Sequence, residues 1–315
     1  MHKLDSERCN TLVRRASRQL YLYCKNHGIH FLVTGSSGGR DSAVTLALAE
    51  KTCQLAKKNK YELKSVGVVL PCDSASKYTR LGRLAVKTFN ALLVETDLTA
   101  DYFDVKDNFI TLDDQVGHIL KTQIDVPLPP NFGKDWQAWT KKICNGNIKA
   151  RLRMITLYHI ARKLGSGMVL STDNLSELWM GFWTICGDVG DYGMIQSVLK
   201  GLELEDLCVH LGVPDAILAQ PPDDGLGVTK QGDAGQLGAV YSEVDRIMVS
   251  LIQQGFNPDG SKQQLKSLPI VPNADPKLVE SLAARALGTA FKRGGTVNLT
   301  RKHLGLPEVK HLDLT

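Results

Sequence analysis

Four short apolar runs alternate along the chain with longer segments in which apolar residues recur at helical spacing. The runs are rich in Val and Leu and do not alternate with polar residues, which is typical of strands covered by other elements on both faces. They lie at residues His30–Thr34, Ser65–Leu70, Ala91–Val94 and Met168–Ser171.

The segments with helical spacing begin near the N-terminus, where residues 4–26 carry apolar residues among basic ones and the pattern stops at Gly28. This predicts an amphipathic N-terminal helix. Because strands and helices alternate, we expect an α/β fold with a doubly wound, mostly parallel sheet and helices on both faces. Further helical patterns lie at Tyr78–Phe89, Ile148–Leu164, Tyr241–Gln254 and Pro276–Phe291.

Two segments interrupt this alternation. Residues Val126–Trp139 contain three prolines and a glycine, which predicts a loop or insertion. Residues 220–238 contain two prolines, five glycines and no periodicity. We expect the second segment to be a mobile loop that covers a ligand.

Composition narrows the class of protein. The 315 residues suffice for one large domain or two small ones, and 43% hydrophobic with 23% charged residues is ordinary for a folded domain. A formal charge of +5 is too small for a nucleic-acid-binding surface, so small anions are the expected ligands. The sequence contains neither a signal peptide nor an apolar run of about 18 residues, and its seven cysteines form no C-x-x-C pair. We therefore expect a cytoplasmic protein that binds no membrane.

Candidate chemistry is concentrated in a glycine-rich segment, Gly35–Ser42, that follows the first apolar run and precedes a helical pattern. Free N–H groups at a helix N-terminus bind phosphate, and glycines allow the backbone to approach it closely. The segment is neither G-x-G-x-x-G nor a Walker loop. The alternative is a tight turn in which Asp41 or Ser42 only caps the helix.

This segment contains S-G-G-x-D-S, the signature of the N-type ATP pyrophosphatases. Five further segments appear in an order and spacing that resemble the NAD synthetase family, over residues 10–310 and most weakly over 70–140. They are GNIKARLRM from Gly146, STDNLSELWMGF from Ser171, GDVGDY from Gly187, LGVPDAIL from Leu211 and LGAVYSEVD from Leu237. The resemblance implies a Rossmann-like, adenine nucleotide alpha hydrolase-like fold as one domain over residues 1–315.

The resemblance also implies an activity. In the family, the carboxylate of deamido-NAD attacks the α-phosphate of ATP with Mg²⁺ present, and ammonia then displaces AMP from the adenylate to give NAD. Since the match uses the whole chain, we expect no glutaminase domain, so nitrogen would arrive as free ammonia or from a separate ammonia-supplying protein. Relatives of this type are homodimers that bind deamido-NAD at the subunit interface, which implies the same assembly here.

Site residues carry over from the matched motifs. Arg151 and Arg153 point to different faces because they are two residues apart, and the family match favours Arg151 for the site, with Arg153 at the surface or paired with a carboxylate. The resemblance implies ATP binding by Ser37, Gly38, Gly39, Asp41, Ser42, Thr172 and Lys200, metal binding by Asp41 and Glu177, and deamido-NAD binding by Asn147, Arg151, Tyr158, Asp188, Asp191, Lys302 and His303.

Each assignment has a structural alternative. Glu177 could lie on a solvated helix face, Lys200 could be a surface lysine, and Asp188 or Asp191 could cap a helix that begins near Leu202.

The chain also departs from the family pattern. Ile185 stands where relatives commonly carry a lysine that contacts deamido-NAD, and GDVGD from Gly187 is one glycine shorter than G-D-G-G-x-D. Asp223 replaces a Ser or Thr, Arg40 replaces a neutral residue, and the terminal His-Lys pair is reversed as Lys302 and His303. Two other functions therefore stay open: an N-type pyrophosphatase that adenylates a different acceptor, and a nucleotide-binding regulator without turnover.

Overall fold

A five-stranded parallel sheet forms the centre of the computed structural model, which describes residues 4–122, 134–222, 232–295, 299–301 and 303–304. The strand order is β3-β2-β1-β4-β5, and Val33 of β1 lies in register with Val66 of β2 and Val169 of β4. The α/β fold with a parallel sheet is therefore confirmed. The strands are β1 Phe31–Gly35, β2 Lys64–Val69, β3 Leu92–Glu95, β4 Gly167–Ser171 and β5 Tyr192–Gly193.

Helices follow or precede each strand. The N-terminal helix is confirmed: it is capped by Asp5, which accepts from the Arg8 N–H at 2.8 Å, and it ends at Gly28 with φ 66°. The helices are α1 Ser6–His27, α2 Arg40–Lys58, α3 Ser76–Thr88, α4 Thr99–Thr122, α5 Lys134–Lys163, α6 Leu175–Met180, α7 Leu204–Leu211, α8 Asp215–Leu218, α9 Gly232–Leu237, α10 Tyr241–Gln253, α11 Pro276–Gly288 and α12 Ala290–Arg293, with a 3₁₀ helix at Lys262–Ser267.

Apolar side chains cover both faces of the sheet. On one face, buried residues of α1, α2, α3 and α7 pack together, including Leu46, Leu48 and Leu207. On the other, Met154 and Leu157 of α5 pack with the strands. A separate apolar cluster joins α6, α10 and α11 through residues such as Met180, Ile247 and Leu282. This third cluster places the C-terminal helices next to the segment that follows β4.

Several sequence expectations are wrong in detail. β3 is not covered on both faces, because it is an edge strand whose Leu92 and Leu93 are 53% and 51% exposed. Residues 134–139, expected in a loop, belong to α5, and residues 232–237 form α9 inside the predicted loop 220–238. Residues 220–222 and 238 are described and lie outside helices and strands, whereas residues 126–133 and 223–231 lie outside the described residues.

The long helix α4 was not expected from the sequence. Its apolar residues Phe109, Ile110 and Val116 are exposed, so they do not follow the pattern of a helix that packs on its own sheet. In the part of the chain that the structure describes, none of the helices is both long enough and apolar enough to span a membrane.

Candidate active site

A cavity of about 620 Å³ opens at the carboxyl ends of the strands. The glycine-rich segment after β1, the end of β2 and the segment after β4 form its walls, and α9 and the start of α10 close it from the C-terminal side. In open parallel sheets, ligands bind at this edge.

Ser36 holds the glycine-rich segment against β2 and α3. The Ser36 N–H donates to the Val68 carbonyl at 2.7 Å, and the Ser36 hydroxyl donates to the Gly82 carbonyl at 2.9 Å. Gly38 has φ 85°, and a Cβ there would lie 2.6 Å from the Tyr78 carbonyl oxygen. Only glycine therefore allows this turn to pack so closely on α3.

The N-terminus of α2 faces this cavity without a side-chain cap. Gly39 is the N-cap residue, and no side chain accepts a cap hydrogen bond there. The hydroxyl of Ser42 donates to the Gly39 carbonyl at 3.0 Å and lies 3.1 Å from the Ser37 hydroxyl. The alternative in which Asp41 or Ser42 caps the helix is therefore wrong. The arrangement suits phosphate, because N–H groups and the positive end of a 19-residue helix meet at one point.

A buried charge cluster lies beside this helix end. The Lys200 ammonium is 2.6 Å from Glu177 Oε1, 3.2 Å from Asp41 Oδ2 and 3.6 Å from Asp233 Oδ2. It also lies 4.6 Å from the centre of the Tyr241 ring. Burial alone would lower the pKa of Lys200, but the surrounding carboxylates raise it well above its ordinary value. Lys200 is therefore a buried cation that links three carboxylates from different parts of the chain.

The two surface alternatives for this cluster are wrong. The Lys200 side chain is 11% exposed and that of Glu177 is 14% exposed, so neither belongs to a solvated face. Asp233 was not expected from the sequence, because it lies in a glycine-rich stretch without periodicity. Its carboxylate is nevertheless buried and reaches the same ammonium.

Asn174 is a second residue that the sequence analysis missed. It is fully buried, caps α6 by accepting from the Glu177 N–H at 3.0 Å, and donates from Nδ2 to Asp41 Oδ1 at 2.8 Å. The Glu177 carboxylate reaches back to the Asn174 N–H at 3.4 Å, which completes a capping box. An N-x-x-E sequence before an apolar run is the signal that could have found it. Asn174 thus fixes Asp41 and Glu177 relative to each other.

Basic residues of α11 and α12 hold the other end of α6. Arg285 donates to the Met180 carbonyl at 3.0 Å, and Arg293 donates to the Leu178 and Trp179 carbonyls at 3.0 and 3.1 Å. Lys292 donates to the carbonyls of Gly181 and Trp183. Cations satisfy the unpaired carbonyls at a helix C-terminus. The short helix that carries Glu177 is therefore fixed at both ends.

Residues predicted for ATP and metal all line the cavity, including Thr172, whereas most residues predicted for the acceptor do not. Asp188 lines it, and its Oδ2 accepts from the Thr184 N–H at 2.5 Å. Asn147 lies outside the wall and accepts from the Thr184 hydroxyl at 2.7 Å. The Asp188 side chain therefore orders its own loop rather than capping α7, which begins at Leu204.

Tyr158 and Asp191 form a pair outside this cavity. The Tyr158 hydroxyl donates to Asp191 Oδ1 at 2.8 Å, and Asp191 Oδ2 accepts from the Val169 N–H at 3.0 Å. Burial and the bond to Asp191 raise the pKa of Tyr158 to about 12. Asp191 therefore does not cap the helix that follows. His303 is exposed and accepts through Nδ1 from the Thr300 N–H at 3.2 Å, while Lys302 lies outside the described residues.

Of the two arginines of α5, Arg153 and not Arg151 faces the cavity, while the predicted contact of Arg151 with deamido-NAD stays a prediction. Arg153 lines the cavity and donates to the Leu70 carbonyl and the Ser74 hydroxyl at 3.2 and 3.0 Å. Arg151 lies outside it and donates to the Ile185 carbonyl at 3.2 Å. Spacing correctly predicted that the two residues point apart, but the direction of α5 relative to the sheet is a tertiary feature.

Two departures from the family pattern also have visible consequences. The Ile185 side chain is 45% exposed, and its position contributes only a backbone carbonyl to Arg151. Arg40 lies in the cavity wall and donates to the Leu218 carbonyl at 2.5 Å and to Glu205 at 3.4 Å, so it ties the start of α2 to α7 and α8. Asp223 lies outside the described residues.

Comparison with known proteins gives one consistent family. The profile described as NAD synthase matches residues 12–294. The ammonia-dependent NAD(+) synthetase of Syntrophomonas wolfei is 33% identical over 227 residues, which are 72% of this chain and 78% of that protein. That of Alkaliphilus oremlandii is 30% identical over 71% of this chain and 79% of its own length.

Solved structures share the fold. The structure of NMN synthetase from Francisella tularensis is 23% identical, with a TM-score of 0.67 over 93% of this chain and 98% of that one. The ammonia-dependent NAD synthetase from Campylobacter jejuni is 21% identical, with a TM-score of 0.60 over 94% of this chain and 100% of that one.

Proposed function

Since this chain belongs to the NAD synthase family, we propose that the cavity at the carboxyl ends of the strands is where ATP is bound and activated. The chain is a ligase that forms a carbon–nitrogen bond. It amidates deamido-NAD to NAD with ammonia, and ATP is cleaved to AMP and pyrophosphate. The observation that best supports ATP binding in this cavity is that the Lys200 ammonium joins Asp41 and Glu177 beside the uncapped N-terminus of α2.

The chemistry explains why these groups are needed. A carboxylate is a poor electrophile, so its oxygen must first become part of a good leaving group, which is AMP in the adenylate. The N–H groups of the glycine-rich segment, the hydroxyls of Ser37 and Ser42 and the Lys200 ammonium would offset phosphate charge as pyrophosphate departs. Positioned donors and cations of this kind supply most of the catalysis in phosphate chemistry.

The residues also fit a magnesium ion that is held jointly with ATP. The carboxylates of Asp41 and Glu177 lie within 3.2 Å of one cation, and Mg²⁺ is usually bound by one or two carboxylates together with substrate phosphates. Among the described residues, no group of three or more His, Cys, Asp or Glu side chains is arranged as a metal-binding set. When bound there, Mg²⁺ would neutralise phosphate charge. Asp41 and Glu177 are its proposed ligands.

We place the acceptor on the side of the cavity formed by α5 and the loop 184–191, and we propose a homodimer that completes this side. Arg151, Tyr158 and Asp191 lie on this outer surface of the chain. Patches of exposed apolar side chains mark interaction surfaces on soluble proteins. On α4 and α5 they include Phe103, Phe109, Ile110, Leu112, Val116, Ile119 and Ile155, which are 41–66% exposed.

The remaining roles are proposals of the same kind. We place the reaction in the cytoplasm, with nitrogen supplied as ammonia, either free or from a separate protein. Asn147, Asp188, His303 and Lys302 are proposed acceptor-binding residues, and Thr172 is a proposed nucleotide-binding residue.

A coupled assay for NAD tests the function. With ATP, Mg²⁺ and deamido-NAD, we expect NAD formation with ammonia and little with glutamine, together with AMP release that depends on deamido-NAD. Nicotinate mononucleotide, supplied in a parallel reaction, tests the choice of acceptor. AMP release that deamido-NAD does not stimulate would favour a different acceptor, and tight ATP binding without any AMP release would favour the regulator.

A further inference from the structure

We propose that Arg153 is an anchor for an oxyanion of the acceptor, either the nicotinate carboxylate or the phosphate nearest to it. This inference rests on the proposed function, because it places the acceptor in the cavity that activates ATP. It gives this role to Arg153, which lines the cavity, rather than to Arg151, which lies outside the wall.

The Arg153 guanidinium is fixed by two neutral acceptors. Its Nε donates to the carbonyl of Leu70, directly after β2, and its Nη2 donates to the Ser74 hydroxyl four residues later. A guanidinium has five N–H donors in one plane. The remaining donors can therefore meet a planar carboxylate or a phosphate with little further loss of side-chain freedom.

Charge balance separates Arg153 from the other cations of the cavity. Among the described residues, three basic side chains line the wall. Lys200 contacts three carboxylates, and Arg40 lies 3.4 Å from Glu205. For Arg153, no carboxylate oxygen of the described chain lies within 4.0 Å, and burial lowers the pKa of its guanidinium. A largely desolvated cation with no carboxylate in direct contact favours an incoming anion.

The position of Arg153 favours the acceptor over ATP. The groups proposed to bind the phosphates of ATP are the glycine-rich segment and the α2 N-terminus, which follow β1, and Lys200, which follows β5. The guanidinium of Arg153 lies instead beside Leu70, at the end of β2, and Asp188 is the carboxylate whose charge reaches it. The reaction brings a carboxylate against a phosphate, and a cation beside the carboxylate reduces their repulsion.

The test compares Arg153→Gln, Arg153→Lys and the control Arg162→Gln, an exposed arginine on the same helix. We expect Arg153→Gln to raise the KM for deamido-NAD at least about tenfold, the loss typical of a charge-assisted hydrogen bond. Arg153→Lys should raise it less, because the charge stays and the fork is lost. The KM for ATP should change less than about twofold in all three.

NAD, used as a competing ligand, distinguishes the two oxyanions because it has the phosphates but an amide in place of the carboxylate. If Arg153→Gln weakens NAD as much as deamido-NAD, the anchored group is the phosphate. If NAD binding is unchanged, it is the carboxylate. Either result supports the anchor.

An unchanged KM for deamido-NAD, or a higher KM for ATP alone, would overturn it. To separate binding from folding, Arg153→Ala is assayed with and without methylguanidinium. Recovery of the deamido-NAD KM supports the anchor, whereas equal loss for both substrates with a lower unfolding temperature and no recovery contradicts it. Wild-type protein that makes no NAD would reject the proposed function instead, and calorimetric binding of deamido-NAD to wild type and Arg153→Gln would still decide the inference.

Discussion

The proposed phosphate end of the cavity is formed by the glycine-rich segment and the residues around Lys200, and the proposed acceptor side is formed by α5 and the loop 184–191. The two are built in different ways. At the proposed phosphate end, Asp41, Asn174, Glu177, Lys200 and Asp233 come from four separate segments and are joined by largely buried hydrogen bonds and ion pairs. On the proposed acceptor side, the predicted residues form separate hydrogen-bonded pairs, several of them near the surface, as Tyr158 does with Asp191. The residues proposed for phosphate are therefore linked to one another within one chain, whereas those proposed for the acceptor are not.

This difference has a physical reason. Carboxylates and a lysine are costly to bury unless their charges and hydrogen bonds are satisfied within the fold. Polar residues whose partner would be a ligand or a second subunit stay at the surface, where water solvates them. The exposed apolar residues lie on α4 and α5, which pack on each other, and α5 also carries Arg151 and Tyr158. The proposed homodimer would cover these apolar residues.

The largest effect is expected at the phosphate end. Asp41→Asn keeps an oxygen for Asn174 but removes a proposed magnesium ligand, so kcat should fall by at least about 100-fold with little change in folding. The measurement is AMP release at saturating Mg²⁺. Lys51→Gln, an exposed change on the same helix, should keep normal activity. Retained turnover in Asp41→Asn would remove this residue from the catalytic site.

The second prediction concerns Asp245, which is buried and accepts from the Gly201 N–H at 2.7 Å, next to Lys200. Burial raises the pKa of Asp245 to about 6, from an ordinary value near 4. The folded state therefore holds the proton more tightly than the unfolded state, so the stability present at pH 4 is lost as the pH rises through 6.

Asparagine cannot ionise. Between pH 4 and 7 the unfolding free energy of Asp245→Asn should therefore rise relative to wild type, by about 2 kcal/mol. Urea unfolding at several pH values gives this difference. A difference that stays constant with pH would show that Asp245 does not ionise in this range.

A smaller effect is expected from the exposed face of α4. Replacing Ile110 and Val116 by Glu should weaken self-association by more than about tenfold, because burial of each apolar side chain stabilises an interface by about 1.5–3 kcal/mol. Sedimentation velocity at several concentrations measures this. Lys87→Glu on α3 is the control. Unchanged association would place the subunit interface elsewhere.

The smallest effect is expected from Tyr158→Phe, which removes one hydrogen bond to Asp191. Such a bond contributes about 0.5–1.5 kcal/mol, so the KM for deamido-NAD should rise severalfold while that for ATP stays the same. Steady-state kinetics with each substrate varied in turn makes the comparison. A higher KM for ATP alone would contradict the proposed contact of Tyr158 with the acceptor.

Local chemistry made the phosphate end predictable from sequence. The glycine-rich segment, its strand and its helix are neighbours in the chain, and their proposed function depends on backbone geometry that glycine and serine indicate directly. Glu177 and Lys200 were found because they lie in matched motifs. The contact between Lys200 and Asp233 depends on how α9 packs on the apolar cluster of α6, α10 and α11, and no periodicity marks Asp233.

Tertiary placement limited the rest. Spacing separated Arg151 from Arg153, but only the orientation of α5 shows which of them faces the cavity. The helical pattern of α4 was hidden because only its first turns pack on the core, through Tyr102 and Val105, whereas later apolar residues such as Ile110 and Val116 are exposed. The prolines before residue 134 obscured the start of α5. Edge strand β3 has the apolar composition of a central strand, so its exposure could not be foreseen.

Exchange of radiolabelled pyrophosphate into ATP tests most directly whether this cavity activates a carboxylate as its adenylate. Without ammonia, wild-type protein should catalyse exchange only when deamido-NAD and Mg²⁺ are both present, and Asp41→Asn should lose it. Exchange that is independent of deamido-NAD, or its absence from a protein that still binds ATP, would contradict the account.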